Sequence, residues 1–307
     1  MPSQKIILIV EPQESERRLD VYLSDALEGF SRSYIQNLIK KGCVKINEKE
    51  QKSSYKLKTA DSVEVEIPDA QPLELKAQNI PLDIRYEDDN MLVVNKPSGM
   101  LTHPTSVQKE DTLVNALLYY CKDNLSGING IMRPGILHRL DKNTSGLLMI
   151  AKNDYAHNFL AQQIKEKSAI RQYLTVVHGV LKDDEGTINA PIGRHPIHRE
   201  KMGVVEDGKR AVSHYKVLER FKNFTYVEMT LETGRTHQIR VHMSYIKHPI
   251  LGDTIYGGGS ANMRLNEQVL QAYKLTFLPP GANIQKVIEL EPDDELKKVL
   301  KILRGKN

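Results

Sequence analysis

The sequence GILHRLDKNTSGLLMIAK, residues 135–152, sets a polar cluster between two apolar runs. The run after the cluster, 146–151, has the length and composition of a β-strand. The cluster itself, HRLDKNTSG at 138–146, holds several basic side chains, a Thr-Ser-Gly turn signal and one carboxylate, Asp141. Taken alone, Asp141 is either a turn residue or a catalyst, and the rest of the sequence has to decide between the two.

Two further polar clusters follow predicted strands in the same way. VNKPSGMLTHP, 94–104, and TGRTHQIRVH, 233–242, each come directly after an apolar segment. Polar clusters at strand ends are where sheet proteins commonly build their sites. Each cluster on its own reads as a turn, but the three together predict a basic pocket that contains one conspicuous carboxylate.

The chain from residue 82 to residue 307 is rich in strand signals with a few helices between them. Strands are predicted at 92–95, 146–151, 173–180, 214–220 and 226–231, and AYKLTFLPP at 272–280 predicts a final strand. Asn153 or Asp154 is expected to cap one helix, another is expected after Thr236, and VLKILRGK at 299–306 predicts a basic terminal helix. This pattern favours an α+β fold, with a mixed, largely antiparallel β-sheet and inserted helices.

The first part of the chain predicts a smaller, separate domain. Ser15 is expected to cap a helix that carries Glu16 in its first turn, and Ser31 or Ser33 is expected to cap a second helix. Two short strands, 43–46 and 63–67, follow the helices. We therefore expect an N-terminal extension at 1–14, a compact αα-β domain at 15–70 and a proline-bounded linker at 71–81.

Positive charge is concentrated in this small domain. The whole chain carries a formal net charge of +4, whereas residues 31–60 hold eight basic side chains against two acidic ones, an excess of six. A local field of this kind attracts polyanions, of which nucleic acid is the commonest in the cytoplasm. A solvated, lysine-rich surface is the alternative, and charge alone favours it equally. The residues expected to contact RNA are Arg32, Lys40, Lys41 and Lys45.

Composition and motifs exclude several classes of protein. Two cysteines, Cys43 and Cys121, give neither a disulfide framework nor a thiolate metal site, which fits a reducing cytoplasm. No secretory signal or membrane span is expected, since the apolar run near the N-terminus is too short. HRLDKN places its Asp one position late for a kinase catalytic loop, and HQIRVH has the wrong spacing for a zinc protease, so neither a kinase nor a metal site is expected.

A lone carboxylate among arginines and lysines has a particular chemical meaning. Nearby positive charge keeps such a group ionised, so it acts as a nucleophile or a base rather than as a general acid. A glycosidase needs a second carboxyl group to protonate its leaving group, and the sequence offers Asp141 no obvious partner except a distant one such as Asp253. One carboxylate suffices when the leaving group needs no proton, as with a delocalised uracil anion.

At this point the motifs resemble a known family. GILHRLDKNTSGLLMIAK is similar to the signature of the RluA/RluD family of pseudouridine synthases, and YEDDNMLVVNKPSGMLTHP, RQYLTVVHG, LETGRTHQIRVHM and HPILGDTIYGG are similar to its other blocks in the same order. The resemblance runs from about residue 82 to residue 258. RRLDVYLSDALEGFSRSYIQNLIKKGCVKINEK resembles the S4 RNA-binding domain, in agreement with the charge argument. Asn47-Glu48 stands where that domain often has Asn-Gly, and Glu tolerates a positive φ less readily than Gly.

The resemblance implies roles for individual residues. Asp141 is expected to be the catalytic Asp, Tyr173 to stack on the target base and assist proton transfer, and Arg240 to pair with Asp141. Arg139 is expected to help to flip the target nucleotide or to fill the space that it leaves. Lys96, His138 and Thr144, from the same motifs, are expected to bind substrate.

The resemblance also implies an activity, which is isomerisation of uridine in RNA to pseudouridine without a metal or cofactor. The expected substrate is 23S ribosomal RNA, free or in a pre-50S particle, and we expect a cytoplasmic monomer. Three alternatives stay open at this point. They are a ribosome-assembly protein that binds RNA without catalysis, a synthase that acts on tRNA, and an RNA glycosylase that releases free uracil.

Overall fold

The structure, a computed structural model, divides the chain into two compact units, Met1–Leu73 and Glu74–Asn307. It describes residues 4–27, 32–67, 75–105, 107–122, 125–127, 134–198, 201–265 and 267–305. The helices are α1 (Leu19–Ala26), α2 (Arg32–Lys40), α3 (Leu113–Cys121), α4 (Asp154–Glu166), α5 (Gln238–Tyr245) and α6 (Asp294–Arg304). The strands are β1 (Gln4–Ile9), β2 (Val44–Ile46), β3 (Lys49–Glu50), β4 (Ser62–Ile67), β5 (Asp83–Glu87), β6 (Met91–Lys96), β7 (Ser145–Ala151), β8 (Ile170–His178), β9 (Glu185–Asn189), β10 (Ile192–Arg194), β11 (Met202–Val204), β12 (Val212–Arg220), β13 (Phe224–Leu231), β14 (Leu270–Phe277) and β15 (Lys286–Glu289).

The small unit packs its two helices on a sheet with the strand order β1-β4-β2-β3. Ile35, Leu38 and Ile39 of α2 are buried, as the helical spacing predicts. Ser15 does not cap α1, because it ends a 3-10 turn at Pro12–Glu14 and Arg18 occupies the N-cap position; Glu16 precedes the helix with a φ of 66°. Ser33 lies inside α2, and Ser31 lies outside the described residues.

Residues 4–9 were expected to lie in an extension, but they form β1 and pair along their whole length with β4. The exposed edge of β4 is thereby covered, so this stretch belongs to the sheet of the small unit. The β2–β3 turn forms at Asn47 and Glu48, whose φ angles are 48° and 66°. Glu48 is therefore held in the left-handed region, where a side chain is disfavoured.

The linker expected at 71–81 is described from residue 75 onward. Leu75 packs against the core of the large unit, and the Gln78 backbone N–H donates to the Asn115 carbonyl. This part of the segment is therefore attached to the large unit.

In the described part of the large unit, nine strands form one sheet with the order β5-β6-β7-β14-β8-β13-β12-β9, and β15 pairs with β14. All neighbouring pairs are antiparallel except β7 and β14, which pair in parallel at only two positions, Ser145 with Gln271 and Gly146 with Ala272. The expected α+β fold with a mixed, largely antiparallel sheet is confirmed. The strand predicted at 272–280 corresponds to β14, which lies in the middle of the sheet. It is not the final strand, because β15 follows it in the chain.

Both faces of this sheet are covered. One face packs against residues of α3 and α5, such as Leu117, Ile239 and Met243. The other face packs against α4 and α6, through residues such as Leu160 and Leu300. Every residue of β7 is buried, since the strand has protein on both sides. The cavity described below opens on the α3 and α5 face.

The helices predicted in the large unit are present. Asn153 caps α4 by accepting a 2.9 Å hydrogen bond from the Ala156 N–H. In α5, Ile239 and Met243 are buried, as the spacing after Thr236 predicts. The predicted terminal helix is α6, which the Asp293 side chain caps. Helix α3 and the β10–β11 hairpin were not predicted.

Candidate active site

A cavity of about 460 Å³ lies where the 136–144 loop, β8 and the start of α5 meet. Asp141 is the only carboxylate among the described residues that line it. The other polar side chains in its wall are mostly basic, and they include Arg139, Arg171 and Arg240. The expected basic pocket with one carboxylate is therefore present in the fold.

Asp141 is held by Arg240 from the first turn of α5. The Arg240 Nη1 donates to Asp141 Oδ2 at 3.1 Å, while its Nε and Nη2 donate to Asp253 Oδ2 and Oδ1 at 2.7 and 3.0 Å. Burial opposes the charge of Arg240, but the hydrogen bonds and charges of the two carboxylates outweigh burial and raise its pKa. The guanidinium therefore stays charged and fixes the position of Asp141.

His237 lies on the other oxygen of Asp141, with 3.9 Å between its Nε2 and Asp141 Oδ1. Its Nδ1 is 2.8 Å from the Tyr256 hydroxyl, which accepts a hydrogen bond from the Met202 N–H. Burial lowers the pKa of His237, and the charge of Asp141 only partly offsets this, so the ring is neutral near pH 7. The Tyr256 hydroxyl accepts from Met202 and is assigned as the donor to His237 Nδ1. The single ring proton of the neutral histidine is therefore assigned to Nε2, on the side that faces Asp141.

Lys96 connects the loop that carries Asp141 to the turn at residues 97–100. The Lys96 ammonium is fully buried and donates to the carbonyls of Pro97, Met100 and Lys142 at 2.7, 2.8 and 3.0 Å. Burial lowers its pKa to about 7, although the Asp141 charge acts in the opposite direction. Lys96 does not line the cavity, so its contacts tie the Asp141 loop to the 97–100 turn rather than reaching the cavity's contents.

Tyr173 lies in the cavity wall on β8, next to β13 and β14. Only 5% of its surface is exposed. Burial raises the pKa of its hydroxyl, the charge of Arg171 lowers it and the charge of Asp141 raises it, with a net increase. The phenol is therefore protonated at neutral pH.

The other residues expected from the motif occupy different parts of the wall. Arg139 is exposed, and its Nη1 is 3.4 Å from His103 Nε2. His138 Nε2 accepts a 3.1 Å hydrogen bond from the Met149 N–H, and burial with help from the Arg171 charge lowers its pKa to about 3. Thr144 is buried, and its N–H closes a turn on the Asp141 carbonyl at 3.1 Å.

Sequence reasoning missed Arg171 and His237 as members of the site, and it named Asp253 only as a distant second carboxyl group for Asp141. Arg171 precedes Tyr173 by two positions and therefore lies on the same face of β8. That spacing is the signal that would have found it. Asp253 stands in the HPILGDTIYGG block, which marks it as a candidate, but its contact with Arg240 depends on the fold.

The small unit presents its lysines to solvent. Lys40, Lys41 and Lys45 are exposed at the end of α2 and on β2. The side chain of Arg32 lies outside the described residues. These exposed charges form a basic surface that suits a polyanion.

Within the ranges that the structure describes, no group of three or more His, Cys, Asp or Glu side chains is arranged to hold a metal ion. No described helix has the length and apolar character to cross a bilayer.

Comparison with protein families gives two matches. The RNA pseudouridylate synthase family model matches residues 90–245, which include the Asp141 loop, β8 and α5. The S4 domain model matches residues 17–63 in the small unit.

Curated relatives extend the similarity over nearly the whole chain. An uncharacterised RNA pseudouridine synthase, YlyB, of Bacillus subtilis (strain 168) is 47% identical over 96% of this chain and 96% of its own length. The ribosomal large subunit pseudouridine synthase D of Zymomonas mobilis is 41% identical over 100% of this chain and 99% of its own. The solved human RNA pseudouridylate synthase domain containing 1 superposes with a TM-score of 0.55 at 25% identity, covering 74% of this chain and 96% of that structure.

Proposed function

Because this chain belongs to the RNA pseudouridylate synthase family, we propose that it converts specific uridines of large-subunit ribosomal RNA to pseudouridine, with Asp141 as the catalytic carboxylate. The observation that supports this most directly is the lone, Arg240-held carboxylate in a cavity whose other charged groups are basic.

The reaction detaches uracil from C1′ of the ribose and rejoins it through C5. A base inside a stacked helix is out of reach, so it has to be extruded into a pocket at a cost of a few kcal/mol. Asp141 either attacks C1′ or removes the proton from C2′, and the base rotates before its C5 bonds to C1′. Each route needs one ionised carboxylate and no general acid.

The remaining side chains divide the work. Arg240 holds Asp141 in place for the reaction, and Tyr173 stacks on the extruded base and assists proton transfer. Arg139, which is exposed near the rim, helps to flip the nucleotide or fills the space that it leaves. Thr144 and Lys96 hold the Asp141 loop. The exposed Lys40, Lys41 and Lys45, with Arg32, bind the phosphate backbone of the RNA.

The substrate is proposed from the relatives and from the small unit. Several relatives at 38–44% identity are named ribosomal large subunit pseudouridine synthase D. An S4 domain provides a basic surface for structured RNA. We take the substrate to be 23S rRNA, free or in a pre-50S particle, met in the cytoplasm.

The first experiment measures tritium release from 23S rRNA labelled with [5-³H]uridine, because loss of the C5 hydrogen is required by this chemistry. Wild type is expected to release tritium without free uracil, and Asp141→Asn is expected to bind RNA but to release none. Release of free uracil would identify a glycosylase. Tritium release from tRNA and not from 23S rRNA would identify tRNA as the substrate. Tight RNA binding without tritium release from any RNA would leave only the ribosome-assembly function.

A further inference from the structure

Arg171 is a buried cation in the wall of the cavity. Only 5% of the surface of Arg171 is exposed, and its Nε is buried without a hydrogen-bond partner among the described residues. No described carboxylate lies within ion-pair distance of it, whereas Arg240 in the same cavity has two. Arg171 therefore differs from a structural arginine, which would be paired when buried.

The surrounding backbone leaves room for this guanidinium. A Cβ built on Gly234 would lie 3.0 Å from Arg171 Nη1, so a larger residue at this position would press on it. Gly234 also lines the cavity, in the TGRTHQIR segment that leads into α5. Gly234 and the Arg171 guanidinium are therefore neighbours in the cavity wall.

A second unpartnered donor lies in the same wall. His138 Nε2 accepts from the Met149 N–H, so the proton of the neutral ring is assigned to Nδ1, which is buried without a described partner. His138 and Arg171 line the same cavity, and the positive charge of Arg171 adds to the effect of burial in lowering the His138 pKa. A buried donor left unpaired costs about 1–3 kcal/mol, so an acceptor bound in this cavity that reaches these donors would remove that cost.

We propose that Arg171 is a catalytic residue that binds a carbonyl oxygen of the extruded uracil and stabilises the negative charge that the base acquires as it leaves C1′. The proposal rests on the proposed function of the site. In an ordinary glycosidase a general acid protonates the leaving group and so neutralises its negative charge. Here the positive charge of Arg171 stabilises the leaving uracil anion instead.

The negative charge that develops when uracil leaves C1′ resides on the base. When the C1′–N1 bond breaks, its electron pair stays on N1 and is shared through the ring with O2 and O4. Asp141 supplies the electron pair for a C1′–O bond, or it accepts the C2′ proton and a C1′–C2′ double bond forms. The uracil anion then bonds to C1′ through C5. In the first route the C1′–O bond breaks and its electron pair returns to Asp141; in the second, Asp141 gives its proton back to C2′ as the double bond is consumed. The C5 proton is then lost, and N1 takes up a proton.

Depth in the cavity favours the base over a phosphate as the partner of Arg171. The arginines exposed at the cavity, Arg139 and Arg235, are placed for the phosphates, which stay in solvent. Arg171 shares one face of β8 with Tyr173, against which the flat base is proposed to stack.

The test uses single-turnover tritium release by full-length wild type and by Arg171→Lys, Arg171→Gln and Arg171→Met. Loss of the charge is expected to slow release about 100-fold, as for removal of one oxyanion donor. Arg171→Lys is expected to be faster than Arg171→Gln, because Gln offers a donor without the charge. Arg85→Met, which removes an exposed arginine outside the cavity, is the matched control.

Two further readouts separate this role from a structural one and from phosphate binding. The melting temperature of Arg171→Met without RNA is expected to equal or exceed that of wild type, because an unpaired buried charge is removed; a fall would indicate a structural arginine. The salt dependence of RNA affinity, measured in the Asp141→Asn background, is expected to stay unchanged, because the proposed contact is with the base and not with a phosphate. A salt slope smaller by about one would assign Arg171 to a phosphate and overturn the proposal.

The outcomes also distinguish this inference from the function on which it rests. If wild type releases no tritium from any RNA, the proposed function fails. If wild type releases tritium and Arg171→Met does so at the same rate, only the role of Arg171 fails.

Discussion

Arg240 and Asp141 are 99 positions apart in the sequence, yet Arg240 Nη1 lies 3.1 Å from Asp141 Oδ2. The same guanidinium is gripped on its other edge by Asp253, which is fully buried and does not line the cavity. Asp253 also accepts from the backbone N–H groups of Ile255 and Tyr256. It is therefore a positioning residue that aims Arg240 at the carboxylate.

Asp253→Asn is expected to lower kcat for tritium release about 100-fold, because a small misplacement of Arg240 suffices for such a loss. RNA affinity is expected to stay unchanged, since Asp253 does not reach the cavity. Stability is expected to fall by about 3 kcal/mol, since a buried charge loses one partner. The exposed pair of Arg304 and Glu219 supplies the control, and Glu219→Gln is expected to cost at most about 1 kcal/mol. Equal kcat in Asp253→Asn and wild type would contradict the positioning role.

Tyr173 offers two separable tests. Tyr173→Ala removes the stacking surface and is expected to weaken RNA binding by about 1–3 kcal/mol. Tyr173→Phe keeps that surface and is expected to bind RNA normally but to release tritium about 100-fold more slowly, because the proton of the hydroxyl is lost. The exposed Tyr155 provides the control as Tyr155→Phe. Wild-type rates in Tyr173→Phe would restrict Tyr173 to stacking.

His138 predicts a specific dependence of stability on pH. Its pKa is lowered from 6.5 to about 3 by burial, so between these values the unfolded chain binds a proton that the folded chain does not. The free energy of unfolding therefore decreases as the pH falls from about 6.5 towards 3. At pH 5 this one group accounts for a loss of about 2 kcal/mol relative to neutral and higher pH. His138→Gln keeps an acceptor for the Met149 N–H, and urea unfolding at pH 7 and pH 5 is expected to show a smaller loss in this variant. An identical loss would show that His138 is protonated in the folded state.

Gly146 is expected to be the most sensitive glycine of the sheet. Its φ is 117°, and a Cβ at this position would lie 2.1 Å from the Ala272 carbonyl oxygen at the β7–β14 contact. Gly146→Ala is expected to destabilise the protein by about 3 kcal/mol or more, because the two strands cannot approach. Gly99 has a φ of 86° but nothing within 4 Å of a built Cβ, so Gly99→Ala should cost only about 1 kcal/mol. Thermal unfolding of both variants checks the difference.

Local sequence signals predicted the elements whose own side chains determine them. The alternating and continuous apolar runs predicted β6, β7, β12 and β13, and Asn153 predicted the start of α4. Ser15 misled because a 3-10 turn at Pro12 precedes α1, and nothing in the local pattern distinguishes a cap from the end of such a turn. The short apolar run at the N-terminus gave no sign of its partner β4.

The site divides in the same way. Asp141, Tyr173 and Arg240 were found because each stands in a motif, and the fold brings all three to one cavity. The buried contact of Asp253 with Arg240 and the lack of a partner for Arg171 are properties of the assembled structure. Lys96 shows the converse case, since its motif suggested a substrate ligand whereas its ammonium is enclosed by three carbonyls.

The central place of β14 determines when the enzyme becomes competent during its synthesis. Leu270 of this strand lines the cavity, and β14 separates the strand after the Asp141 loop from the strand that carries Tyr173. A nascent chain that has emerged only as far as α5 contains Asp141, Tyr173 and Arg240 but lacks the strand that joins their supports. Because such distant pairings form late, the cavity can close only after the nascent chain has emerged past residue 277, well beyond the motifs that carry the three side chains.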